Sequence, residues 1–140
     1  MTNNIKEHHN DKEVQYLNLE RDVALWRNKL KFVADEIAFY LLLLGSSLIE
    51  KTHSNNIDAN YLLKEFNNLK EINEFYMNTG RHFQNKLQGM VECDDIQCDN
   101  AYLHSYLLFK NKLEKHLDEV RNIKQSTFQY LQKGIEKFIN

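Results

Sequence analysis

Three long stretches of this chain repeat apolar residues at alternating steps of three and four, and no proline interrupts them. The first reads Leu19, Val23, Trp26, Leu30, Val33, Ile37, Tyr40, Leu44. Steps of that kind keep every such side chain on one side of an α-helix, so each stretch reads as a helix with an apolar seam to bury. A second seam reads Leu62, Phe66, Leu69, Asn73, Tyr76, Gly80, Phe83, Leu87, Met90. A third reads Tyr102, Tyr106, Phe109, Leu113, His116, Val120, Ile123, Thr127, Tyr130.

The pattern predicts helices over about 11–52, 57–89 and 100–138, preceded by a polar, mobile arm over 1–10. Ser54-Asn55-Asn56 forms the first turn, and Val91 to Asn100 the second, with Asp99 or Asn100 capping the last helix. Gly45-Ser46-Ser47 is the weak point of the first helix, although Leu48 and Ile49 continue its apolar pattern. Short turns make consecutive helices antiparallel neighbours. The expected fold is therefore all-α, an up-down-up bundle of three long antiparallel helices with heptad-like seams. At 140 residues it is expected to be a single domain.

Charge narrows the partners. A net charge of −2 with mixed acids and bases does not suit a phosphate-binding surface, so no nucleic acid is expected. The longest apolar run, Ile37 to Leu44, falls well short of the ~20 residues that span a bilayer, so no membrane is expected either. Met1 to Asn10 carries no apolar stretch of the secretory kind, which points to the cytoplasm. In that compartment Cys93 and Cys98 are expected as a reduced pair.

No motif names a reaction, and no catalytic residue or cofactor is expected. Di-iron bundles use two Glu-x-x-His motifs, whereas this chain has only Glu50 to His53. Cys93 and Cys98 lack the second ligand pair of a thiolate metal site, and Asp94, Asp95 and Asp99 read as a solvated acidic turn.

Two features remain. Asn73 and His116 are polar residues on the seams, and antiparallel turns set both near Glu36. Glu36, Asn73 and His116 can thus form a buried polar layer that pins helix register. The alternative is a mid-bundle pocket for a metal or small ligand, with Gly80 leaving space nearby. The second feature is surplus apolar surface. Leu25, Phe32, Phe39, Leu42 and Leu43 lie on the back of the first helix, and Leu103, Leu107 and Leu108 at the start of the third. An antiparallel two-fold homodimer would bring these two patches together. This favours a non-enzymatic interaction or scaffold protein that homo-oligomerises. A further alternative is a regulatory or stress-response adaptor for another helical protein.

The stretch Trp26-x-x-x-Leu30-x-Phe32-x-x-x-Glu36-Ile37 resembles a group of small all-helical, coiled-coil-like proteins of Bacteroidota. That resemblance implies an all-α fold and no particular activity or substrate.

Overall fold

The structure, a computed structural model, describes the backbone of residues 2–52 and 57–139, and the side chains of 11–50 and 57–139. Helix α1 runs Thr2–Leu44, α2 Ser47–Thr52, α3 Ile57–Leu87 and α4 Ile96–Ile139, with a 3₁₀ turn at Gln88–Glu92 before α4. No strand occurs among the described residues. The fold is all-α, as the seams predict, and every seam position is buried or half-buried.

The helix ends differ from the expected ones for local reasons. Helix α1 begins at Thr2, so the polar segment expected as a non-helical arm is helical. Its residues are mostly polar but carry no proline or glycine to break a helix. At the other end α1 stops at Leu44, and the apolar residues Leu48 and Ile49 belong to the separate helix α2. The break falls at Gly45-Ser46, and Ser46 closes the turn. Its Oγ donates to the Leu43 carbonyl at 2.6 Å, and its backbone N–H reaches the same carbonyl at 3.2 Å. A carbonyl satisfied from three residues ahead closes the last turn of a helix. The expected turn at Ser54-Asn55-Asn56 and His53 of the Glu-x-x-His pair lie outside the described residues.

The second connection is tighter than expected. It shrinks to 93–95 because the 3₁₀ turn extends the path of α3 and α4 starts at Ile96. Asp95, rather than Asp99 or Asn100, caps α4: its Oδ1 accepts the Cys98 backbone N–H at 2.7 Å. Cys93 and Cys98 are joined by a disulfide, with Cα atoms 5.5 Å apart, which corrects the expected reduced pair. The 3₁₀ turn brings the two cysteines round onto each other, a closure their spacing alone does not reveal.

The sequence shows no boundary, yet contacts divide the chain into two compact units. The first comprises 1–30 with 76–113, the second 31–75 with 114–140. Each draws on the same long helices, so no linker composition marks the division.

In the first unit, Leu19, Val23, Phe83, Leu87, Met90 and Tyr106 form the core, with Trp26, Tyr102 and Leu103 packed against it. Trp26 stacks on Tyr106 at 5.2 Å, and Phe109 meets Trp26, Tyr76 and Phe83 at 5.6–6.2 Å between centroids. Such ring pairs add directionality to ordinary apolar burial. Tyr106 keeps its hydroxyl satisfied by donating to Asp22 Oδ2 at 2.6 Å. Contacts of α1 with α4 advance together (Lys12 with Asp99, Asp22 with Tyr106), so these helices run parallel. Helix α3 runs against both, as Phe83 with Phe109 and Gly89 with Tyr102 show.

In the second unit the core is Val33, Ile37, Leu44, Ile49, Ala59, Leu62, Phe66, Leu69 and Val120. Tyr40 stacks flat on Phe66, centroids 5.2 Å apart. Tyr40 with Phe66 joins α1 to α3 here, and Glu36 with Lys124 joins α1 to α4.

Candidate functional site

The buried polar pair lies in the second unit. His116 and Asn73 are 2% and 1% exposed. His116 Nε2 lies 2.9 Å from Asn73 Oδ1. With the amide oxygen facing the ring, Nε2 carries the proton and donates. The contact joins α3 to α4 at one register, because only one vertical placement brings the two side chains together.

Glu36 does not complete this layer. Its carboxylate instead accepts from Lys124 Nζ at 2.8 and 3.1 Å, near the edge of the second unit. The expected three-residue layer is thus corrected to a buried Asn73–His116 pair and a separate, half-buried ion pair. Glu36 flanks its seam, and the long lysine side chain intercepts it there. This bridge contributes little. Glu36→Gln is expected to cost under ~1 kcal/mol, a loss that shrinks further at high salt. Urea melts of the two proteins at low and high ionic strength measure it.

Burial holds the His116 pKa below its ordinary value of 6.5, with Glu119 pulling the other way. The unfolded chain therefore takes up a proton before the folded one does. Stability from this group is complete above about pH 6.5 and is lost as pH falls through the lowered folded value. Wild type is expected to lose more stability than His116→Leu between pH 7.5 and about 5. Denaturation midpoints of both proteins across that range test this, and parallel losses would contradict it.

The structure offers little room for a ligand here. A small recess of about 80 Å³ lies beside Asn73, lined by Ala34, Ala38, Leu41, Lys70 and Glu74. That is far below the ~300 Å³ at which small-molecule sites begin. Gly80, expected to leave space, lies in the first unit, where a Cβ would sit 3.5 Å from Arg27 and Phe109. Among the described residues, no group of His, Cys, Asp and Glu is arranged to hold a metal ion.

The apolar candidates divide. Leu25, Phe32, Phe39 and Leu42 are 52%, 64%, 58% and 77% exposed. Leu107 and Leu108 are also exposed, at 52% and 47%. Leu103 is instead packed on the core of the first unit. Leu43 is half-buried and lines a groove in the second unit, together with Phe39, Tyr40, Phe128, Leu131 and Ile135. Phe128 and Ile135 were not among the sequence candidates. The signal for Ile135 is the drift of the apolar face at the end of the last helix, which a straight helix produces against a seven-residue repeat; Phe128, next to the seam residue Thr127, has none.

Among the described residues, no helix is long and apolar enough to cross a membrane. No protein-family model, no curated protein and no solved structure matches this chain.

Proposed function

We propose that this chain is a non-enzymatic interaction protein that assembles with copies of itself through the outer face of α1. The observation that carries this reading is the exposure of Phe32, Phe39 and Leu42, at 64%, 58% and 77%. Single exposed apolar residues are ordinary, but large side chains recurring along one helix are a surface that water leaves uncovered at a cost. The helix-pinning Asn73–His116 pair suits a scaffold, since it gives rigidity without an open site.

The test is native mass spectrometry and light scattering on the untagged chain. Wild type is expected as an oligomer at micromolar concentration. Phe39→Lys combined with Leu43→Lys is expected to give a folded monomer, with helical circular dichroism retained. An unaltered oligomer would remove α1 from the assembly surface.

The compartment belongs to the same proposal. A cytoplasmic location was expected from the N-terminal composition, but disulfides persist mainly where the surroundings are oxidising. Intact mass after thiol blocking in the cell separates the cytoplasmic reading from an oxidising compartment.

A further inference from the structure

We propose that the groove between the end of α1 and the end of α4 is a two-fold interface, in which each copy of the chain covers the same groove of the other. The proposal rests on the self-association reading above and replaces its expected partner surface. Sequence spacing paired the back of the first helix with Leu103, Leu107 and Leu108. Leu103 is already engaged in the first unit's core. The apolar surface beside Phe39 is instead continued by α4's last turns.

The groove encloses about 390 Å³ between Phe39, Tyr40 and Leu43 on α1 and Phe128, Leu131 and Ile135 on α4. Phe39, Phe128 and Ile135 remain 58%, 63% and 46% exposed. Helical spacing continues the face to Leu42 on α1 and to Phe138 and Ile139 on α4, which are 77%, 66% and 75% exposed. With ~150–250 Å² for each whole aromatic side chain, the three phenylalanines alone leave roughly 280–470 Å² bare, and Leu42, Ile135 and Ile139 add to it. The largest apolar patch on a typical monomer is ~300–600 Å², whereas a stable dimer covers ~800 Å² on each partner. The patch therefore needs only a modest polar rim to reach the size of a dimer interface.

The polar groups at the groove suit a second copy. A two-fold axis sets like beside like, so a groove of one charge sign would repel itself. This one carries the neutral amide Gln132 and a single acid, Glu136. Lys133 and Lys137 flank that acid in sequence and are exposed. Two copies can satisfy one another's amides and pair opposite charges without any other partner.

The experiment is sedimentation equilibrium on the full chain across a wide concentration range. Wild type is expected to stop at a dimer, because a two-fold interface closes. Phe128→Glu and Ile135→Glu replace exposed side chains, so they should keep the helical circular dichroism of wild type. Each is expected to weaken the dimer by ~100-fold or more, the effect of losing a central apolar anchor. Leu107→Glu with Leu108→Glu should leave it intact. A dimer that survives the groove changes but fails with Leu107→Glu and Leu108→Glu overturns this interface and leaves self-association standing. A mass that climbs without limit overturns the two-fold closure. A wild type that stays monomeric at every concentration, bare or carrying a bound small molecule, overturns both readings.

Discussion

Replacing Phe66 by alanine is expected to lower stability by about 3–5 kcal/mol, the range for emptying an aromatic site in a well-packed core. Phe66 is fully buried, and its ring lies flat against Tyr40 from α1. It belongs to a core that draws Val33 and Ile37 from α1, Leu62 and Leu69 from α3 and Val120 from α4. Truncation leaves a void among three helices, and none can close it without losing its other contacts. The loss is a large part of the ~5–15 kcal/mol that holds an ordinary domain folded. Leu42→Ala is the control. Leu42 is 77% exposed, and its loss should shift stability by less than ~0.5 kcal/mol in protein dilute enough to be monomeric. Urea denaturation of both variants compares them directly. Near-equal midpoints would mean that Phe66 is not at the centre of its core.

Reducing the bond between Cys93 and Cys98 is expected to cost about 2 kcal/mol, the loop-closure entropy of so short a loop. The bond ties the end of the 3₁₀ turn to the first turn of α4, where Asp95 already caps the helix. Cys93 is 5% exposed, so Cys93→Ser would also bury a hydroxyl and overstate the effect. Cys98 is half-buried, and Cys98→Ser is the cleaner variant. Urea midpoints of wild type with and without a thiol reductant give the same quantity without substitution. Reductant should have no further effect on Cys98→Ser. If reductant leaves the wild-type midpoint in place, the bond contributes nothing to stability.

The core was legible from the chain because helical periodicity is set by backbone geometry. Leu30, Phe66 and Leu113 face inward for the same reason that their neighbours three and four positions away do. The register between helices was legible too, through Asn73 and His116, since two polar residues on apolar seams have few places to go. Other features depend on details that periodicity does not carry. The break after Leu44 falls at Gly45-Ser46, where backbone and hydroxyl bonds close the turn while the apolar spacing runs on. The disulfide depends on how far a 3₁₀ turn carries the chain before α4 begins. Height along the helices sets Glu36 beside the polar layer, and height does not show that Lys124 reaches it first. The groove needed two helix ends in register, which no single stretch of sequence displays.

The chain has one tryptophan, and it sits in the first unit, stacked on Tyr106. Indole emission therefore watches only half of the molecule, while helical circular dichroism watches all of it. The two signals together act as a built-in cooperativity gauge. Superimposable melting curves would mean that both units come apart in one step. If emission changes at a different midpoint from ellipticity, the halves yield separately, and the curves then assign Phe66→Ala to the half without the tryptophan.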